Sequence, residues 1–170
     1  MSLVNTPSGN RLHIGIFGKR NSGKSSLLNA ITGQEIALVS EVKGTTTDPV
    51  SKAMEIHPIG PCLLIDTAGF DDTGDLGNMR IEKTKAVLDK TDVAVVVFSD
   101  MQMELETQWI AMLRQRKIPI LAVVNQVDRI EQVQEIKRQI EQRFSLTPLL
   151  VSAKEKTGIS QMKHEILRLM

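Results

Sequence analysis

Cysteine is nearly absent from this 170-residue chain: Cys62 stands alone. That excludes an internal disulfide and any cysteine-rich metal site within the chain, and it agrees with a reducing, cytoplasmic setting. Excess charge of either sign is also missing. With a net charge of +1, electrostatics give no reason to expect a nucleic-acid or membrane partner. No apolar run approaches the roughly 20 residues needed to span a bilayer. Histidine is sparse, and His13, His57 and His164 share no ligand spacing. Trp109 beside Met101, Met103 and Met112 is expected to be partly exposed, but one aromatic does not make an interface. The opening "MSLVNTPSGN" lacks the basic and apolar regions of a signal peptide and reads as a flexible arm, residues 1–10. The last residues, "MKHEILRLM", stop inside an amphipathic pattern, from which a longer protein is expected.

What is present fits one soluble-type domain over residues 11–170, with 41% hydrophobic and 24% charged residues. Short apolar runs alternate with helix-period segments, the signal for βαβ units and a mostly parallel sheet. Strands are expected at Leu12–Phe17, Cys62–Asp66, Val93–Phe98, Ile118–Val124 and Pro148–Ser152. Their near-continuous Val, Ile and Leu suit strands buried on both faces. The alternating "VSKAMEI" of Val50–Ile56, followed by a short "HPIGP" turn, predicts an antiparallel edge strand. Helices are expected at Gly23–Thr32, Met79–Asp89, Met103–Arg116, Ile130–Arg143 and Ile159–Met170. In the fourth, Ile130, Val133, Ile136, Ile140 and Phe144 share one face. The basic "RQRK" at Arg114–Lys117 is read as a solvated helix end favouring the dipole. Two long connections, Gly33–Pro49 and Thr67–Asn78, are rich in Gly, Thr and Asp, as functional loops tend to be. They begin near strand or helix ends, where open α/β sheets bind ligands.

"GKRNSGKS", Gly18–Ser25, matches the phosphate-loop pattern after a strand and before a helix. Its glycines let the backbone amides, including those of Asn21, Ser22 and Gly23, converge on phosphate oxygens, and the helix N-terminus bearing Ser26 adds partial positive charge. Lys24 would reach the β- and γ-phosphates, and Ser25 would ligate Mg2+. "LLIDTAG" ends a strand in Asp66, which can hold the metal or its water, and Gly69 leaves room for an amide to approach the γ-phosphate. In "VVNQVD", Asn125 and Asp128 can read a purine edge. The carboxylate accepts from guanine's N1 and N2 donors, a pair that adenine lacks. "VSAK" adds Ser152, Ala153 and Lys154, with the Ala153 amide placed to contact the base oxygen.

In this order the motifs resemble the P-loop GTPases. The resemblance implies a three-layer fold of the Ras-like G-domain type, with a mostly parallel six-stranded sheet, one antiparallel edge strand and helices on both faces. It also implies that Thr46, within "KGTTTDP", joins the Mg2+ shell. Asn21, the threonines after Gly44 and the hydrophobic residue after DTAG narrow it to the tRNA-modification and Era-related GTPases. Within that group, "NRLHIGIFGKRNSGKSSLLNAITGQEIALVSEVKGTTTDPVSKAMEI", "LLIDTAGFDD" and "LGNMRIEKTKAVLDKTD" are most similar to the HydF family of hydrogenase maturation GTPases.

That family implies a scaffold for the di-iron subcluster of the FeFe hydrogenase, served by radical-SAM maturases. Its iron–sulfur cluster is expected only in segments outside this chain. Two positions depart from pattern: Gln126 replaces the lysine of N-K-x-D, and Asn78 stands where relatives carry a water-positioning glutamate. Asp71, Asp72 and Asp75 are nearby acids. Phe70 cannot orient water, and the resemblance offers K+ instead, held by Asn21 and carbonyls around Ser40 and Val42. Such a cation would supply the charge of an arginine finger. Slow hydrolysis of GTP to GDP in isolation and homodimerisation, through the G domain or through segments outside this chain, follow as expectations, with Lys24, Thr46, Gly69 and Asn21 in catalytic roles. A role in RNA or ribosome maturation and a non-catalytic GTP-sensing module are the alternatives.

Overall fold

The computed structural model describes residues 11–19, 22–33, 50–66, 85–128 and 130–170. Among these described residues six strands form one sheet: β1 (Leu12–Gly18), β2 (Val50–Ile56), β3 (Gly60–Asp66), β4 (Val93–Phe98), β5 (Ile120–Val124) and β6 (Leu149–Leu150). Their spatial order is β2-β3-β1-β4-β5-β6. Only β2 runs antiparallel, against β3; every other pairing is parallel. The edge position of β2 shows in its side chains. Ser51, Lys52, Ala53 and Glu55 are exposed, while Met54 and Ile56 turn into the core.

The period-2 geometry of the strands divides the core in two. Val93, Val95 and Val97 of β4 point to one face with Ile14, Ile16, Leu121 and Val123. There they meet α1 (Lys24–Thr32) through Leu27, Leu28 and Ile31, and α5 (Ile159–Leu169) through Met162 and Ile166. Ala94, Val96 and Phe98 point to the other face with Phe17, Ala122 and Val124. That face is covered by the helical residues 85–90 (α2), by α3 (Glu104–Gln115) and by α4 (Val133–Phe144). Helices on both faces of a mostly parallel sheet are thus the observed architecture.

Two expectations are corrected. Trp109 is buried, 3% exposed, with its ring centroid 6.1 Å from that of Phe17. It lies on the inner stripe of α3 with Ile110 and Leu113, so helical period outweighs its polar neighbours. The helix end at Arg114 is not merely solvated. The Arg114 guanidinium donates through Nη2 to the Phe144 carbonyl, tying α3 to the last turn of α4, and Arg116 pairs with Asp89 of α2 at 3.2 Å. Among the expected face of α4, Ile136, Ile140 and Phe144 are buried, whereas Ile130 and Val133 are only half-buried because the helix begins at Val133.

Candidate functional site

The sheet places the motif residues at the C-terminal ends of β1, β3 and β5 and after β6, the edge where open α/β sheets bind ligands. β1 runs through Gly18 into the glycine-rich loop, and α1 begins at Lys24 with Gly23 as its N-cap. Gly23 adopts φ 78°, the left-handed region that L side chains avoid. A Cβ there would also lie 2.6 Å from Asn125 Nδ2, so both backbone and space demand glycine.

Lys24 is buried, and its Nζ lies 3.1 Å from Asp66 Oδ1 at the end of β3. The contact is electrostatic, since Asp66 Oδ1 has no aligned hydrogen-bond donor. Register explains the meeting: Ile16 of β1 lies beside Asp66 of β3, two residues before Gly18. A buried carboxylate oxygen with spare acceptor capacity suits a hard cation. With Ser25 exposed at the start of α1, the described donors fit Mg2+. Asn21, Thr46 and Gly69, with Phe70 and Asn78, lie outside the described residues.

Asn125 binds three segments together. Its Nδ2 donates to the Ser22 carbonyl at 2.8 Å and the Gly23 carbonyl at 3.2 Å, and its Oδ1 accepts from the Ala153 amide at 3.3 Å. All its side-chain groups are thereby used inside the protein, and the residue is 1% exposed. Asn125 therefore ties the phosphate loop to the Ala153 segment. The Ala153 amide is pointed at Asn125, so the expected contact with a base oxygen would have to share that hydrogen bond.

Asp128 receives the Ser152 hydroxyl at 2.7 Å, and the Glu155 amide donates back to Ser152 Oγ at 3.2 Å. Ser152 is itself buried and joins Thr157 through two 3.0 Å backbone bonds. The Asp128 carboxylate is thus oriented from behind. Gln126 takes φ 63°, and its Nε2 would be 2.9 Å from a Cβ on Gly23, which places its side chain against the phosphate loop.

Between these groups lies a cavity of about 270 Å³ lined by Gly23, Ser26, Gln126, Asp128 and Lys154, with Asn125 and Ala153 also on its wall. Its volume is just below the ~300 Å³ lower end for small-molecule pockets, which suits a base rather than a whole nucleotide. Among the described residues larger clefts occur elsewhere, such as those of about 530 Å³ beside Asp100 and Ile136 and about 560 Å³ beside His57 and Lys163, and neither is lined by the glycine-rich loop.

This arrangement agrees with the comparisons. The family described as 50S ribosome-binding GTPase matches residues 13–126. The chain belongs to that GTPase family. The GTPase Der of Wolinella succinogenes is 33% identical over 171 residues, spanning 92% of this chain and 35% of its own length. The tRNA modification GTPase MnmE of Bordetella petrii is 38% identical over 162 residues, spanning 93% of the chain and 33% of its own length. The GTPase chain therefore spans about a third of the length of these curated relatives. In fold it resembles Era of Aquifex aeolicus bound to GDP and aluminium fluoride, with a TM-score of 0.75 and 24% identity over 93% of this chain and 56% of Era. A second Era structure, in complex with MgGDPNP and part of 16S ribosomal RNA, has the same TM-score.

Sequence reasoning missed one part of this GTPase site. Lys19 Nζ donates to Asp100 Oδ1 at 2.7 Å and to the Gln102 carbonyl at 2.6 Å, and lies 3.4 Å from Glu106 Oε2. A signal existed. Glu106 is three and four residues before Trp109 and Ile110, so helical period places an acid on the buried stripe of α3. Among the described residues no cluster of three metal-ligating side chains occurs, and no helix is long and apolar enough to cross a membrane.

Proposed function

We propose that the chain is a guanine-nucleotide switch domain that binds GTP and hydrolyses it slowly in isolation. The observation that carries this is Asn125, whose three hydrogen bonds hold the phosphate loop and the Ala153 loop around the Asp128 cavity. The triphosphate would lie over Gly18–Ser25, with the amides of Asn21, Ser22 and Gly23 on its oxygens. Lys24 would leave Asp66 for the β- and γ-phosphates, freeing the carboxylate toward Mg2+ held also by Ser25 and Thr46. When bound, Mg2+ supplies positive charge against the β- and γ-phosphate oxygens. Asp128, set by Ser152, accepts from guanine's N1 and N2 donors.

Measured binding of fluorescent GDP, with ADP as competitor, tests the base assignment. Asp128→Asn replaces a double acceptor with a donor and an acceptor. It is expected to weaken GDP binding by about 100-fold, the scale of losing charge-assisted hydrogen bonds. The variant should gain affinity for xanthosine diphosphate, whose 2-oxo group accepts where guanine donates. Unchanged GDP affinity would remove Asp128 from the site.

Two larger systems compete for this switch, both in the cytoplasm. The relative MnmE, named a tRNA modification GTPase, and the family described as 50S ribosome-binding GTPase favour tRNA modification or ribosome maturation. The runs "KGTTTDP", "LLIDTAGFDD" and "LGNMRIEKTKAVLDKTD" favour the HydF scaffold, with its radical-SAM maturases and an iron–sulfur cluster borne outside these residues. The full-length protein separates the two. A purified brown protein with cluster absorbance supports the scaffold; salt-resistant retention on ribosomal subunits or tRNA supports the other.

A further inference from the structure

Beside the phosphate loop lies a carboxylate that the nucleotide chemistry above does not use. Glu106, in the first turn of α3, is fully buried, and neither of its oxygens has a hydrogen-bond partner. Taking a carboxylate out of water without such partners is expensive. Stability does not account for it, because replacing a buried ion pair by apolar side chains is often neutral or stabilising. Glu106 occupies a position on the α3 stripe where an apolar residue would pack beside Trp109 and Ile110.

Among the described residues the charged groups facing Glu106 are Lys19, from the phosphate loop, and Asp100, from the loop after β4. Lys19 joins them at its side chain and shapes the loop at its backbone. Its carbonyl accepts from the Ser22 amide at 3.1 Å and the Ser22 hydroxyl at 2.6 Å, closing the turn that leads to Gly23. The opposite side of that turn is held by Asn125 at the Ser22 carbonyl. One end of the turn is thus fixed by a hydrogen-bonded amide and the other by a buried charge. We propose that Glu106 and Asp100 clamp Lys19 so that the phosphate loop is preset for nucleotide, making Glu106 a positioning residue for GTP and GDP binding. This rests on the guanine-nucleotide reading above.

The clamp has a built-in pH limit. Burial pushes the Glu106 carboxyl up to about 6, against the opposing charge of Lys19. Burial pulls the Lys19 ammonium down, but its hydrogen bond to Asp100 and the charge of Glu106 outweigh this and hold it above the usual lysine value. Acidification therefore neutralises Glu106 first and leaves Lys19 with only the more exposed Asp100 and the Gln102 carbonyl.

The test is GDP affinity in Mg2+ for this chain, measured at pH 7.5 and pH 5.5 alongside thermal melting. At pH 7.5, Glu106→Gln and Lys19→Met should each bind GDP about tenfold more weakly, the scale of one hydrogen bond to a charged group. The double variant should be no weaker than either single one, as expected of partners in one contact. Lys19→Arg should retain most of the affinity. At pH 5.5, where about three-quarters of Glu106 would be protonated, the difference between wild type and Glu106→Gln should shrink to about threefold. Wild-type affinity in both single variants, additive losses in the double variant, or an unchanged difference at pH 5.5 would each overturn the clamp. If Glu106→Gln fails to fold, the exposed Asp100→Asn decides: weakened GDP binding supports the clamp and wild-type binding overturns it. A wild-type chain that binds no guanine nucleotide would instead overturn the reading on which the clamp rests.

Discussion

Asn125 and Glu106 are both buried polar side chains beside the same loop, yet their physics is opposite. Asn125 satisfies its amide fully, donating twice and accepting once. Asn125→Ala leaves the Ser22 and Gly23 carbonyls and the Ala153 amide without these bonds, at about 1–3 kcal/mol for each buried group left unpaired. Chemical denaturation should show a loss of about 2–4 kcal/mol after partial rescue by water, and a stability within error of wild type would contradict the bracing role. Glu106 is the unsatisfied case, and its pH dependence has a definite sign. Its carboxyl rises from 4.5 to about 6 on folding, so the folded state holds more protons than the unfolded state between these values. Its contribution to stability is therefore greatest below pH 4.5 and is lost as pH rises through 6. A shift of that size corresponds to about 2 kcal/mol. Comparing wild type with Glu106→Gln from pH 7 down to pH 4, the balance should move by about that amount in favour of wild type; a pH-independent difference would show that Glu106 does not titrate in the folded protein.

Elements were legible from sequence wherever one period ruled a whole segment. β4 runs Val93–Phe98 as its apolar run predicts, and β2 is the antiparallel edge strand that "VSKAMEI" implies. Boundaries drifted where a single strong neighbour decided them. The last strand shrinks to Leu149–Leu150 because only β5 flanks it, and the chain then turns back through the Ser152–Thr157 bridge. Trp109 is buried because the helical period sets it on the inward stripe of α3 with Ile110 and Leu113, and Met103 and Met112 pack in the same core around it. In the site, the phosphate and base motifs could be read from their order, whereas the Lys19–Glu106 contact spans 87 positions and no local pattern announces it. The same contrast yields a graded expectation for α4. Ile140 is fully buried, so Ile140→Ala should cost about 2–5 kcal/mol, a transfer term plus the cavity left behind. Ile130 precedes the helix and is only half-buried, so Ile130→Ala should cost less than half as much. Equal losses in urea unfolding would mean that α4 packs from Ile130 onward, as the unbroken apolar stripe suggests.

At the scale of the whole molecule, the sheet gathers the candidate base pocket at one end of its C-terminal edge and the Lys24–Asp66 pair near the middle, with α1 packed beside α5 on one face and its N-terminus at that edge. Among the described residues, nothing beside Lys24 and Asp66 orients a water for attack on a γ-phosphate. Phe70 follows Gly69 in sequence and brings no hydrogen-bonding group to that task. On the proposed reading of Asn21 as a K+ ligand, that cation would supply the charge that Phe70 cannot. An arginine finger in the same role is worth about 10³–10⁵ in rate; a monovalent ion lacks its directed hydrogen bonds, so a smaller gain, on the order of tenfold to 100-fold, is expected. Steady-state GTP hydrolysis should be slow in Na+ and rise by that factor in K+ at equal ionic strength. Asn21→Ala should lose the difference between the salts while still binding GDP, because the phosphate-loop amides and Asp128 do not depend on that side chain. Equal rates for wild type in the two salts would remove the cation from the mechanism and leave the charge to be supplied by a partner protein.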